Sequence, residues 1–485
     1  MGMREAPLLI NGTDVWASNG ARFERRDPLS NLPVSSAAAA STEDVHAAVS
    51  AAARAFPSWS ATGPGARRQK LLKAADCLHA READIVAAMT DETGATAAWA
   101  RENVELGAEM LREAALMTTH VGGQIIPSDR PGATAFALRC PVGVVAGIAP
   151  WNAPIVLGVR AIAAPLACGN TVVLKSSELC PVTQHIIGEA LCAAGLGGGI
   201  VNVISNAPPD ADKVVEALVA HPAVRRVNFT GSTRVGRLVA EVAARYLKPV
   251  VLELGGKAPL IVLDDADLEE AARAAAYGAF MKQGQICMAT ERIVVDAPVA
   301  DAFVALLGER AAALVAGDPH LGRAPLGSVI GQEAVRRIEG LVQDAVLKGA
   351  RLVIGSSARG TLIDATVLDH VTPAMRIYDE ESFGPVIAVV RVNGVEEAVR
   401  VANDTEYGLA AAVFGRDLVR ALSVAQRIEA GICHVNAATF LDEPQMPLGG
   451  VKASGYGRLG GSAGIQEFTD LRWITVTGQP GDYPL

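Results

Sequence analysis

Three residues of this chain have side chains suited to covalent chemistry at a carbonyl carbon. Cys287 closes Gly284-Gln285-Ile286-Cys287, Glu253 opens Glu253-Leu254-Gly255-Gly256-Lys257, and Asn152 closes Pro150-Trp151-Asn152. A thiolate attacks such a carbon, a carboxylate activates water, and an amide donates to the developing oxyanion. Oxidation of an aldehyde through a thioester needs these three groups. Gly284 gives the backbone freedom to place the thiol. An ordinary thiol ionises near pH ~8.5, so some local effect, backbone amides or the positive ring of a cofactor, must favour the thiolate. Glu253 ends an apolar strand, where burial raises a carboxyl's pKa and makes it a base near neutrality. Each residue also has a structural reading: Cys287 as a buried thiol, Glu253 as the partner of Lys257, and Asn152 as the N-cap of a helix starting near Ala153.

Between the amide and the carboxylate lies a nucleotide-site pattern. G-x-G-x-x-G is absent, but Gly231-Ser232-Thr233-Arg234-Val235-Gly236 falls between a predicted strand and a predicted helix. Free N–H groups and a positive dipole end at a helix N-terminus suit a pyrophosphate, and Ser232 is a candidate cap. Lys175 and Glu178 stand just past the carboxyl end of a strand, where open α/β sheets bind ligands. An acidic side chain there accepts ribose hydroxyls and repels the 2′-phosphate of NADP, so NAD is the expected cofactor. The structural alternative for this pair is a surface salt bridge on a loop.

The positioning elements follow from hydrophobic periodicity. Residues 44–120 read as helical. From Cys140 onward strands and helices alternate: strands at 171–174, 200–204, 224–229 and 250–254, with a helix opened by Pro181 and others at 210–221 and 233–246. A second series begins near Pro259, with a helix expected over 264–280, a strand at 292–295, a helix at 299–316, and a last strand near 431–436. Such alternation predicts parallel sheets covered on both faces. The domain boundary is placed just after Glu253. A late strand at 468–476 lies beyond the second series and is a candidate for pairing with another subunit.

Composition sets the outer limits. A chain of 485 residues exceeds one ordinary core, which predicts two large domains and a smaller element. The net charge of −9 argues against a nucleic-acid partner. No run of about 18 apolar residues and no leader pattern occurs, so a cytoplasmic protein without a membrane span is expected. The 7 cysteines are irregularly spaced and the 8 histidines scattered, which predicts neither a disulfide framework nor a catalytic metal.

Taken together, Pro150-Trp151-Asn152, Lys175 with Glu178, Phe229-Thr230-Gly231-Ser232, Glu253-Leu254-Gly255-Gly256-Lys257, Gly284-Gln285-Ile286-Cys287, Glu381-Ser382-Phe383-Gly384-Pro385 and Pro447-Leu448-Gly449-Gly450 resemble the NAD(P)-dependent aldehyde dehydrogenase superfamily over residues 20–475. The resemblance implies a Rossmann-like cofactor domain (1–118 and 142–253), an α/β catalytic domain (254–466) and a small β oligomerisation element (119–141 and 467–485), assembled as a homodimer or homotetramer. It implies catalytic roles for Cys287, Glu253 and Asn152. Cofactor contacts are implied for Ile148, Pro150, Trp151, Lys175, Glu178, Gly231, Ser232, Leu254, Glu381 and Phe383, with Glu381 holding the nicotinamide ribose. Leu448 departs from the pattern, in which Phe is common near the substrate tunnel.

The spacing of Asn152, Val156 and Arg160 puts them on one face if all three are helical, with Arg160 at the tunnel wall. Trp99 and Met110 share another helical face, and Ile286 and Met288 flank the nucleophile. A narrow apolar slot with one cation suits a flat ring bearing hydroxyl or methoxy groups. The structural readings are core packing for Trp99 and Met110 and an ion pair for Arg160. Within the superfamily the chain is most similar to aromatic aldehyde (salicylaldehyde and vanillin) dehydrogenases. The supporting segments are Gly94-Ala95-Thr96-Ala97-Ala98-Trp99-Ala100, Gly431-Ile432-Cys433-His434-Val435-Asn436 and Asp442-Glu443-Pro444-Gln445-Met446-Pro447. An aliphatic aldehyde or semialdehyde is the alternative substrate, and a non-catalytic structural or binding protein is the alternative of another class.

Overall fold

Five strands rich in β-branched residues form the parallel centre of an eight-stranded sheet: Val250–Glu253, Val224–Thr230, Val144–Ile148, Thr171–Lys175 and Val201–Ile204, adjacent in that order. The computed structural model describes residues 3–478. The order of the strands decides where ligands go. From Val144–Ile148 the chain builds outward through Thr171–Lys175 to Val201–Ile204, then returns to the other side with Val224–Thr230. The reversal opens a crevice at the carboxyl ends of the two strands that flank it. Asn152 and Trp151 follow one of these strands, and Gly231 and Ser232 follow the other.

A second, seven-stranded sheet holds Arg351–Ile354, Thr366–Asp369, Val386–Val392, Thr290–Asp296, Ala258–Val262, Ala410–Phe414 and Ile432–Val435 in that order, parallel except at its first pair. The chain passes from the first sheet to the second between Glu253 and Ala258. The span 254–466 does not stay in the second sheet, however. Gly455–Tyr456 returns to pair antiparallel with Leu252 and Glu253, covering an otherwise open edge of the first sheet.

The predicted helical stretch is four helices: Thr42–Ser60, Pro64–His79, Glu82–Thr93 and Ala97–Met117. Ser41 and Asp44 form a reciprocal capping box at the first. Gly94 ends the third in the left-handed region, at φ 63°. The helix expected from residue 264 starts at Leu268, because the last aspartate of its acidic run, Asp267, is the one whose side chain caps it.

Thr469–Thr477 corrects the idea of a terminal strand lacking a partner within the chain. It pairs over nine residues with Ala133–Pro141, which also pairs with Gly123–Ile126. The outer edge of Thr469–Thr477 is free in this three-stranded sheet. Residues 479–485, part of the small element expected from sequence, lie outside the described residues.

Candidate active site

A tight turn aims Cys287. Lys282 and Gln283 are left-handed (φ 51° and 56°), and Gly284 follows at φ 68°. A Cβ on Gly284 would lie 2.0 Å from the Gly384 carbonyl, so this position requires glycine. The turn is pinned from both sides. Lys282 Nζ donates to the Thr93 carbonyl at 3.0 Å, and the Ile330 N–H donates to Gln285 Oε1 at 2.9 Å. Gly256 backs the nucleophile closely, since a Cβ there would lie 2.4 Å from the Cys287 carbonyl.

Asn152 reaches the same turn: its Nδ2 donates to the Gln285 carbonyl at 3.0 Å. That bond uses one of two amide N–H groups and leaves the other for an oxyanion. Trp99 Nε1 donates to the Asn152 carbonyl at 3.1 Å, fixing the backbone as well. The N-cap reading of Asn152 fails, because the helix Pro154–Ala167 begins two residues later with Ala153 at the cap. Asn152 therefore does not share a helical face with Val156 and Arg160.

Glu253 ends its strand almost fully buried, with Oε1 lacking any hydrogen-bond partner. Burial pushes its pKa up to about 8, against the pull of Arg160 and Arg458 and with help from Asp442. Lys257 is not its partner. The Lys257 ammonium instead donates to Glu291 Oε2 at 2.8 Å. Cys287 is half-buried. Burial first, then the Glu253 and Glu381 carboxyls, push its thiol up to about 12. Of the charged groups that act on the thiol, Arg160 alone favours the thiolate, so the help expected from sequence is weak within the chain itself.

That cavity, about 580 Å³, runs between the two sheets. Pro150, Trp151, Asn152, Gly231, Ser232, Leu254, Cys287, Glu381 and Phe383 all line it. Ser232 Oγ caps the helix Thr233–Arg245 by accepting from the Val235 N–H. Any Cβ at Gly231 would lie 2.6 Å from the Phe229 ring. A helix N-terminus whose remaining free N–H groups follow a glycine and open into the cavity that also holds Cys287 fits a dinucleotide. At the other end, Glu381 Oε1 accepts from the Gly256 N–H at 3.0 Å, and burial raises this carboxyl to about 7. Trp151 and Phe383 meet edge to face at 5.9 Å. Ile148, Lys175 and Glu178 do not line the cavity. Ile148 is buried in the sheet, in register with Lys175 and Phe229. Lys175 Nζ lies 3.4 Å from Glu178 Oε2, and the lysine is buried, so the pair is not a loose surface salt bridge.

Trp99, Ile286, Met288, Leu448 and Phe440 all belong to the large apolar core against which Cys287 packs. Trp99 and Phe440 have ring centroids 5.8 Å apart. Arg160 forms a buried ion pair with Asp442. It lines, with Leu448 and Met110, a separate small cavity of about 30 Å³ rather than the large one.

Sequence reasoning passed over the residues that hold these loops. Gln184 accepts from the Ser177 N–H at 2.7 Å and donates to the Pro150 carbonyl at 3.0 Å, joining the loops after two strands. Glu291 accepts from Lys257, from Ser382 N–H and Oγ, and from the Phe383 N–H, fixing the loop that carries Glu381. Glu291 lies four residues past Cys287, but nothing in its local pattern marks it, because its partners are distant in sequence.

The model of the aldehyde dehydrogenase family matches residues 16–474, and the chain belongs to that family. A vanillin dehydrogenase of Pseudomonas fluorescens is 59% identical to it over 100% of both chains. A salicylaldehyde dehydrogenase of Pseudomonas putida is 47% identical, covering 98% of this chain and 99% of the relative. Among solved structures, a salicylaldehyde dehydrogenase from Pseudomonas putida G7 complexed with salicylaldehyde superposes with a TM-score of 0.98 at 46% identity, over 100% of both chains. Among the described residues, no helix is long and apolar enough to cross a membrane.

Proposed function

We propose that this chain oxidises an aromatic aldehyde of the salicylaldehyde, vanillin or benzaldehyde kind to the carboxylic acid, with NAD preferred over NADP. The observation that carries the chemistry is the Asn152 amide bonded to the turn that ends at the Cys287 thiol, with the buried Glu253 carboxyl, its Oε1 without a partner, near enough for its charge to act on that thiol. The aromatic preference is supported by the relatives' substrates and by Trp99, Phe440, Ile286, Met288 and Leu448 in the apolar core against which Cys287 packs.

The Cys287 thiol gives up its proton to water in the cavity and adds through sulfur to the aldehyde carbon. The second Asn152 N–H, with the Cys287 backbone N–H, holds the oxyanion. NAD, when bound, would supply the acceptor for the hydride that the alkoxide carbon must give up. Pro150, Trp151, Gly231, Ser232, Leu254, Glu381 and Phe383 would hold the cofactor in the cavity. The product of this first half is a thioester on Cys287. Glu253 then removes a proton from water, which attacks the thioester and frees the acid. In the aldehyde-binding half, Trp99 both flanks the ring site and fixes Asn152 through its indole N–H. Arg160, neutralised by Asp442, acts on the site as part of a dipole rather than as a lone cation.

Lys175 and Glu178 lie outside that cavity, at the carboxyl end of the strand Thr171–Lys175, and the NAD preference rests on the ribose of the cofactor's far end reaching them, where a carboxylate would repel a 2′-phosphate. The small sheet of Gly123–Ile126, Ala133–Pro141 and Thr469–Thr477 is proposed as the oligomerisation element, and the two larger sheets as the cofactor and catalytic domains. The test is a panel of aromatic and aliphatic aldehydes assayed with NAD and with NADP by absorbance of the reduced cofactor. Benzaldehydes are expected to lead in kcat/KM with NAD. Aliphatic aldehydes ahead by more than about tenfold, or a clear NADP preference, would contradict the respective half of the reading. Turnover that needs coenzyme A would point instead to thioester release without Glu253.

A further inference from the structure

We propose that Asp14, His185 and Glu189 form a site for one divalent transition-metal ion of the zinc type, with water completing its coordination. His185 and Glu189 stand at i and i+4 on the helix Pro181–Ala193, so they share a face. Asp14 faces them from the edge strand Thr13–Val15. His185 Nε2 lies 3.2 Å from Asp14 Oδ1 and 3.8 Å from Glu189 Oε1, and the three donor atoms are all within 4.8 Å of one another. A tetrahedral ion with bonds of about 2.0–2.2 Å separates its ligands by roughly 3.3–3.5 Å, so the trio needs only small side-chain adjustments to close on one.

The state of His185 points to a ligand rather than to simple packing. The residue is only 4% exposed, yet neither ring nitrogen makes an aligned hydrogen bond. Nε2 is directed at two carboxylate oxygens without the linear geometry that an N–H donor would adopt. Whichever nitrogen of a neutral imidazole carries the proton, Nε2 is buried without an aligned partner, and a cation between it and the two carboxylates would supply one. Asp14 is the exposed member and Glu189 is half-buried, so the site opens to solvent on one side.

The surroundings fit this role. Arg81 Nη1 donates to Glu189 Oε2 at 2.9 Å, which orients the carboxylate and leaves Oε1 turned toward the histidine. Asp84 in turn pairs with Arg81 at 2.7 Å, so the guanidinium does not cancel the site's negative charge. One nitrogen and two oxygens suit zinc and its neighbours better than magnesium or calcium, which take oxygen ligands. The strand Thr13–Val15 is one outermost strand of the first sheet, and Val250–Glu253, which carries Glu253, lies next to the other, Gly455–Tyr456. An ion there would tie the terminal hairpin to the helix, away from the chemistry.

Zinc chloride is the probe, titrated calorimetrically into EDTA-treated full-length protein carrying Cys287→Ser, so that the nucleophilic thiol does not compete. Melting is followed with and without the ion. One equivalent is expected to bind at micromolar zinc and to raise Tm. Asp14→Asn and Glu189→Gln, both at solvent-accessible positions and near-isosteric, should each weaken binding by about 10-fold or more and remove the rise in Tm. If zinc fails to raise Tm, or raises it equally in all three proteins, the trio is an ion pair only and the proposal is wrong.

Discussion

Glu253 and Cys287 must both give up a proton to act, and burial holds the proton on each of them. Glu253 keeps its proton up to about pH 8, so thioester hydrolysis should accelerate as pH rises through that value. In Glu253→Gln this rise in kcat is expected to disappear, measured where deacylation limits the rate. The same shift bears on stability. In the unfolded chain the carboxyl ionises near pH ~4.3, whereas the folded form holds the proton until about 8. The folded state therefore binds more protons across that window, and this group lowers stability as pH climbs from about 4.3 to 8. Chemical denaturation of wild type and Glu253→Gln at pH 5 and 8 should show a larger loss for wild type, and an equal loss in both would count against the buried-carboxyl picture. Asn152→Ala should lower kcat by about 10²–10³ while leaving the fold intact, since the side chain's recorded bond is to a single backbone carbonyl.

At the scale of elements, the site depends on loops fixed by residues remote in sequence. Glu291 gathers Lys257 and the Ser382-Phe383 backbone in a buried cluster. Removing one partner of such a pair typically costs about 3–5 kcal/mol. Glu291→Ala should lower Tm and raise the KM for NAD, because the loop carrying Glu381 loses its anchor. An unchanged KM would show that this loop is held by other contacts. The strands and helices that place Cys287, Glu253 and Ser232 were legible because each follows a clear apolar run or a cap. The structural alternative for Asn152, an N-cap, misses by one residue, since the helix begins at Pro154 with Ala153 at its cap. Gln184 and Glu291 were not legible, because a buried hydrogen bond across more than 30 residues leaves no periodic trace in the chain. The ion pair of Arg160 with Asp442, 282 residues apart, was foreseen only as a type of interaction, without its partner.

For the whole molecule, parallel sheets were readable from the alternation of elements, and the crevice follows from the reversal of strand order in the first sheet. The return of Gly455–Tyr456 to that sheet was not readable, because a two-residue strand carries no period. The three-stranded sheet leaves Trp473 79% exposed, with Leu471, Val476 and Ile125 also open to solvent. So many large apolar side chains on one small sheet favour association. Trp473→Glu together with Leu471→Glu should shift the protein toward monomer in light scattering after size exclusion, and an unchanged mass would place the subunit contact elsewhere.

Trapping the covalent intermediate tests the central claim most directly. Glu253→Gln protein mixed with NAD and a benzaldehyde should release a burst of about one reduced cofactor per active site, and mass spectrometry of the quenched protein should find the corresponding acyl group on the peptide containing Cys287. Steady turnover by Cys287→Ala, or a burst that leaves no acyl group on Cys287, would contradict it.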